Sequence, residues 1–390
     1  MVAYTYYVSD PRVRREAEAL AGRGDEVEVF CLRKPGEAPE ETVQGVRLRR
    51  LPLARYRGGN SLLYMGSYLA FLALALFALG GAHLRRRYRI VHVHNMPDFM
   101  VLAALVPRLL GARVLLDIHD TMPEIYRGKF RVGSGHPLIR LLRFQERISA
   151  RFAHHVLTSE HTKKDALIAH GLDGRRIEVV LNLPDPRIFA RTAPPAAGAS
   201  AEGTGGGFRV VFHGTLAKRL GVDLAIRAVA RLHAEMPGLR LDLIGDGDQR
   251  AELIALAREL GVDDRVCFSD GFVPVEELPA MLHGAHLGVI PTREEISTRY
   301  MLPTKLLEYI ALGIPAVVAP THTIRHYFDE TQVAFFTPGD DESLAREIRA
   351  LAVDPERRRD LARSAERFLD TYSWDSHRRV YLDLVDGLAG

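Results

Sequence analysis

The chain has 390 residues, 47% hydrophobic and 26% charged, with 52 Lys and Arg against 49 Asp and Glu for a formal net charge of +3. That length exceeds one ordinary core and fits two domains, the composition is that of a soluble globular protein, and so small a net charge makes no case for general nucleic-acid binding. Cys31 and Cys267 lie in apolar strand-like runs far apart, which reads as packed thiols in a reducing compartment rather than a disulfide or a metal site.

From the amino terminus, Val2–Val8 and Val27–Cys31 read as strands flanking an amphipathic helix over Arg12–Ala21. No secretory signal is read ahead of the first of them. The turn between carries Asp10 and Arg12, and two readings stay open: contact with an anionic acceptor, or Asp10 as a helix cap. Residues 61–83 hold no Asp, Glu, Lys or Arg and run into Arg85, Arg86 and Arg87. The length approaches that of a membrane span, ~20 residues. A true span would split α/β material across the bilayer, so the expected form is a helix partly buried and partly facing lipid, its arginines among anionic headgroups.

Arg89–His94, Arg113–Ile118, His155–Thr158 and Ile177–Leu181 continue the strands, with helical stretches between, a pattern that implies a parallel sheet covered on both faces. Alternation puts His92 and His94 on one face; a metal pair would need a third ligand, which sequence does not supply. A first domain over 1–190 then gives way to a low-complexity linker, 191–207, that cannot build a core. The pattern restarts over 208–371. Strands are expected at Arg209–Phe212, Leu239–Ile244, Val266–Phe268, Leu287–Ile290, Ala316–Ala319 and Val333–Phe336, with helices near Val222–Ala234, Gln249–Leu260 and Ser343–Ala352. The fold class is α/β, two doubly wound Rossmann-like domains, and in such sheets ligands bind at the carboxyl ends of the strands.

Three stretches carry candidate chemistry. In Pro303-Thr304-Lys305-Leu306-Leu307-Glu308 a helix is expected to open at Pro303 and close at Gly313. Its free N–H groups and Lys305 suit a diphosphate, and Glu308 one turn on suits the paired hydroxyls of a ribose. The run His213-Gly214-Thr215-Leu216-Ala217-Lys218-Arg219 ends a strand in a glycine-opened loop with two cations, a phosphate grip in which small residues allow close approach. Asp117-Ile118-His119-Asp120, followed by Glu124, closes a strand in the first half. A fourth stretch, Asp246-Gly247-Asp248, matches the metal-holding Asp-x-Asp pattern, but it follows a strand into glycines and reads as a turn.

These motifs resemble the retaining glycosyltransferases of the GT-B fold, family 4-like, the type that includes many bacterial surface-glycan enzymes; the resemblance covers nearly the whole chain. It implies two domains facing across a cleft, with residues 372–390 (Tyr372-Ser373-Trp374-Asp375 onward) crossing back to the first and Trp374 packing between domains. It implies a hexosyltransferase that takes a nucleoside-diphosphate sugar as co-substrate, with no metal and no other cofactor. The acceptor would be a glycan or lipid-linked precursor at the cytoplasmic face of a membrane. In the resemblance Glu308 holds the donor ribose, Pro303, Thr304, Gly214, Thr215 and Lys218 line the donor, Phe272 sits in a base-side loop, and His119 faces the donor sugar with Asp120 and Glu124 on the acceptor side. Departures are plain. The family's second glutamate, eight residues before Glu308, is Tyr300 here, and its usual arginine and lysine positions are Thr215 and Leu220. Arg219 and Lys305 are expected to replace that cation pair as the catalytic charges. Two other readings stand beside transfer: a sugar-nucleotide epimerase of related fold, and a non-catalytic glycan-binding scaffold. A dehydrogenase is disfavoured because neither half opens with Gly-x-Gly-x-x-Gly.

Overall fold

The computed structural model describes residues 1–56, 58, 60–190 and 207–390; the linker expected at 191–207 lies, but for Gly207, outside the described residues. The chain forms two compact units, Met1–Asn182 with Asp375–Gly390, and Leu183–Trp374. Residues 183–190, expected in the first domain, group with the second, because the last strand of the first sheet stops at Val179.

The first unit strings β1 (Glu28–Leu32), β2 (Glu40–Val43), β3 (Val46–Leu51), β4 (Ile90–His94), β5 (Arg113–Ile118), β6 (His155–Thr158) and β7 (Ile177–Val179) along the chain. They pair as β1-β3-β2 and as a parallel β4-β5-β6-β7. The strand expected over Val2–Val8 is reduced to a bridge. Val2 pairs in parallel with both Phe30 and Val93, tying the two ladders together, and Tyr7–Ser9 turns away as a single 3-10 turn. The β2-β3 hairpin was not foreseen in the sequence. Its two-residue turn is Gln44-Gly45, both at positive φ (49° and 79°), the geometry that matches strand twist in a tight hairpin. The helix Pro11–Gly22 is capped by Asp10, whose Oδ1 accepts from Val13 N at 3.2 Å. Asp10 is therefore a helix cap, the second of its two readings.

Helix Ser61–Arg86 is two-faced. Tyr68, Phe71, Ala75, Leu79 and Ala82, spaced three and four apart, are buried in the core, while Leu62, Leu69, Phe77 and Leu84 are exposed. The last helix, Trp374–Ala389, packs on the first unit from Asp375 onward: Tyr381 is fully buried there, and Arg23 reaches Asp386 at 2.8 Å.

The second unit is a six-stranded parallel sheet, β8 (Phe208–His213), β9 (Leu239–Ile244), β10 (Val266–Phe268), β11 (Leu287–Ile290), β12 (Ala316–Val318) and β13 (Ala334–Phe335), in the order β10-β9-β8-β11-β12-β13. Its strands read as near-continuous apolar runs because both faces are covered. The chain leaves β8 toward β9 and later returns to β8's other side with β11. That reversal opens a crevice beyond the carboxyl end of β8, at His213.

Candidate active site

The loop after β8 is shaped by close packing. Gly214 holds φ +105°, and Gly245, at the end of β9, holds φ +136° with its Cα so near the Gly214 carbonyl that a Cβ would stand 2.2 Å from that oxygen. No other residue type fits there. Asp246-Gly247-Asp248 belongs to this crossing as a turn: Asp246 Oδ1 accepts from Gly247 N at 2.9 Å, its carbonyl accepts from Leu216 N at 2.9 Å, and both carboxylates face outward.

Across the crevice lies the helix Thr304–Ala311, with no side chain capping its start. Pro303 (φ −65°, ψ 120°) is the residue before the first turn rather than the first helical residue expected. Its ring fixes φ near the value required but its ψ is extended, so Thr304 is the first residue in helical conformation. The partial positive charge of the helix start still points out of the helix. Lys305 is 9% exposed; its Nζ lies 4.0 Å from the Phe212 ring centroid and beside Gly214, where a Cβ would meet it at 3.4 Å. Burial lowers the Lys305 pKa to about 7, Glu308 opposing and the Arg219 charge adding to the fall. Glu308 is bonded to His213 Nε2, while Tyr309 anchors the helix by donating to Val211 O at 3.1 Å. Gly288 admits the Tyr309 ring, since a Cβ there would stand 2.4 Å from it.

The structure thus gathers Gly214, Lys305 and Glu308, with Arg219 near enough for its charge to act on Lys305. Thr215, Lys218 and Arg219 are exposed at the mouth. Phe272 is 72% exposed, and Tyr300 stands edge-on to His322 at 5.9 Å; no described bond or ring contact joins either to Glu308. A buried lysine with a pKa of about 7 would take up a proton if a diphosphate bound beside it. Nucleotide binding at pH 8 is therefore expected to absorb nearly one proton and at pH 5.5 almost none, read by calorimetry in buffers of differing ionisation heat; Lys305→Met should abolish the difference.

In the first unit His119 follows β5, half-exposed. Its backbone N donates to Asn95 Oδ1 at 3.2 Å, and its carbonyl accepts from Ser159 Oγ at 3.3 Å and from Lys163 Nζ. Nδ1 sits 3.6 Å from Asp117 Oδ2. Burial opposes the imidazolium, yet Asp117 outweighs it and raises the His119 pKa. Asp120 is exposed next to it, its N and O both held by Asn95.

Two expected acceptor-side residues are inward-facing instead. Arg12 is 4% exposed, with Nε and Nη2 on the two oxygens of Asp117 at 2.6 and 3.1 Å and Nη1 on Val180 O at 2.7 Å. A guanidinium fork matched so closely to a buried carboxylate is structural. Glu124 is 3% exposed on helix Met122–Phe130, 3.2 Å from His170 Nε2, and His170 Nδ1 meets Glu146 at 2.8 Å. Burial works against the His170 charge, but the two carboxylates prevail and push its pKa up to about 9. Asp117, Asn95, Lys163 and His213 were missed as site residues in the sequence. Asp117 alone left a signal: a carboxylate inside an otherwise apolar strand demands a buried cation.

Residues 9–182 match the Glycosyl transferase 4-like domain, and residues 202–368 match Glycosyl transferases group 1. The chain is 28% identical over 360 residues to a 2-deoxystreptamine glucosyltransferase of Streptomyces kanamyceticus, covering 88% of this chain and 89% of that one. It is 27% identical over 396 residues to a D-inositol 3-phosphate glycosyltransferase of Salinispora tropica, covering 95% and 78%. Its fold is shared with Anabaena HepE solved in complex with UDP, at TM-score 0.70 and 15% identity over 99% of each chain.

Proposed function

We propose, from the premise that the chain belongs to the GT-B, family 4-like glycosyltransferases, that it moves a hexose from a nucleoside-diphosphate donor to an acceptor hydroxyl with retention and without a metal at the diphosphate. The observation that carries this is the triad of charges at the end of β8: a helix start, a buried Lys305 lowered toward neutrality, and Glu308 one turn along. Leaving-group charge grows on the diphosphate during transfer, and fixed dipoles and cations already in place stabilise it without reorganising. Lys305 and the helix start, with Arg219 at the mouth, would serve there; Glu308 would accept from the ribose hydroxyls. His119 would line the sugar. Acceptor attack from the leaving-group face, with the departing phosphate taking the acceptor proton, gives retention, and no nucleophile is assigned among the side chains. Two transferase-family matches, one in each half, favour transfer over epimerisation. The test is the anomeric configuration of the sugar released or transferred from an α-linked donor, followed by NMR from the first minutes. An α product supports the reading; a β product overturns retention.

The acceptor side of the reading is a glycan or lipid-linked precursor of cell-surface polysaccharide or glycolipid, met at a membrane surface. What supports it is helix Ser61–Arg86, whose most apolar 18-residue window has mean hydropathy 2.1 and is only 22% buried. Phe77 (78% exposed) and Leu62 (83%) head its outward face, and Arg85 and Arg87 follow exposed at its foot. An apolar face with cations at one end suits an interfacial helix on anionic lipid. Phe77→Asp is expected to weaken co-sedimentation with phosphatidylglycerol vesicles about tenfold or more, from the ~1.5–3 kcal/mol of one buried aromatic side chain. Wild-type protein that stays in the supernatant at low salt would contradict membrane contact.

A further inference from the structure

We infer that the first unit holds a structural divalent metal ion of the zinc class, bound by Glu16, His92 and His94. These residues come from the helix Pro11–Gly22 and from β4, and all three are buried, at 0%, 3% and 1% exposure. The sequence offered only the two histidines; the fold supplies the third ligand. Among the described residues, neither oxygen of Glu16 and neither Nε2 of the histidines has a hydrogen-bond partner. Glu16 Oε2 lies 3.8 Å from His94 Nε2 and 3.9 Å from His92 Nε2, and the candidate ligand atoms of the cluster, Asp117 included, lie within 4.8 Å of one another.

Each ligand has a partner on its outer side, and at His94 that partner fixes the proton. His94 Nδ1 meets Asp117 Oδ2 at 3.2 Å, and Asp117 is already held as a carboxylate by Arg12. The proton therefore sits on His94 Nδ1, leaving Nε2 as a bare acceptor. His92 Nδ1 is bonded to Tyr381 OH at 3.1 Å, and Glu16 Oε1 has Arg12 Nη2 at 3.4 Å, so Oε2 is left to face the histidines. With Nδ1–H donated outward by both rings, two imidazole lone pairs and the Glu16 carboxylate converge on one buried point, an arrangement that repels unless something positive stands between them. They are too far apart to share a proton directly, since a hydrogen bond closes near 2.7–3.2 Å.

Size selects the occupant. Ligand atoms ~2.0–2.2 Å from a zinc ion stand about 3.3–3.8 Å apart between tetrahedral and trigonal angles, and the two edges from Glu16 Oε2, 3.8 and 3.9 Å, are at or just above that range. Zinc sits ~2.0–2.2 Å from imidazole nitrogen and carboxylate oxygen, so a shift of a few tenths of an ångström closes the site. A water in the plane would need ~2.8 Å to each. Two histidines with one carboxylate form a donor set for zinc and its borderline neighbours rather than for magnesium or calcium. Each ligand also has the outer partner that such sites require, Tyr381 for His92, Asp117 for His94 and Arg12 for Glu16. The ion would clamp the first helix and β4, and Tyr381 of the last helix bonds to one of its ligands. It is no part of the diphosphate grip, which belongs to the second unit.

The test uses the full, tag-free chain, stripped with a tight chelator and refilled with Co²⁺ or Zn²⁺ before gel filtration against a competing chromophoric chelator. The expected result is one metal per chain by elemental analysis, d–d bands in the cobalt form, and a rise in melting temperature on refilling. Glu16→Gln and His92→Gln should each drop retention below about 0.2 per chain. Tyr381→Phe, which keeps all three ligands, should still bind one ion about 10-fold or more weakly. Wild-type protein that is folded by circular dichroism yet retains less than 0.1 metal per chain, without cobalt bands, overturns the site. Full retention by the Glu16→Gln and His92→Gln variants would overturn it equally.

Discussion

Glu308→Ala is expected to weaken nucleoside-diphosphate binding about 10- to 100-fold. Hydrogen bonds from ribose hydroxyls to a carboxylate are charge-assisted, each worth ~1.5–3 kcal/mol, and 1.4 kcal/mol is tenfold in affinity. The Glu308 side chain is 13% exposed at the crevice, but the buried His213 Nε2 loses its partner in the variant, so the free protein should also lose ~1–3 kcal/mol of stability. Its loss also removes the charge that holds the Lys305 pKa up, so the lysine discharges further and the diphosphate end weakens in step. Glu308→Gln, which keeps one acceptor oxygen, should fall between. Calorimetry with the nucleotide reads all three proteins, and unchanged affinity in Glu308→Ala would remove the ribose role.

Arg12→Ala carries the largest expected stability effect. It leaves Asp117 ionised at 0% exposure with two of its bonds gone, and it strips Val180 O of its donor. Breaking one side of a buried pair costs ~3–5 kcal/mol. A unit of this size moves ~2–4 °C per kcal/mol, so the first unit should melt about 6–20 °C below wild type. Arg12→Lys should recover little, because an ammonium cannot span both carboxylate oxygens as the fork does. Arg12→Ala combined with Asp117→Asn should recover part of the loss, since the stranded charge is then absent. Scanning calorimetry checks the series; a drop under 2 °C for Arg12→Ala would mean that Asp117 finds another partner.

The second unit was legible in the sequence almost strand by strand. β9, β10 and β11 span the residues expected because each apolar-rich run is bounded by breakers or polar residues, Gly238 and Gly245, Arg265 and Ser269, and His286 and Pro291, even though β9 carries Arg240 and Asp242 within it. The first unit resisted at its two ends. Val2–Val8 has a strand's composition, but only Val2 keeps a bridge before the chain turns at Tyr7–Ser9. The β2-β3 hairpin hides behind a Gln-Gly turn that is not among the strong turn pairs.

At the site, Glu308 and Lys305 were readable because one helix start sets their spacing. Arg12 and Glu124 are not legible as inward-facing, because their partners, Asp117 and His170, lie 105 and 46 positions away and become visible only once the chain is folded. The same long-range convergence put Glu16 against His92 and His94.

In the proposed function the second unit binds a nucleoside diphosphate at Lys305 and Glu308 without a metal at the phosphates. A thermal-shift panel of UDP, GDP, ADP and their sugars, each with and without chelator, tests it most directly. The expected result is that one base stabilises the wild type, that the increment over the nucleotide-free protein is the same with chelator, and that Glu308→Ala loses most of it. No shift with any nucleotide, or an increment that vanishes with chelator, would contradict the account.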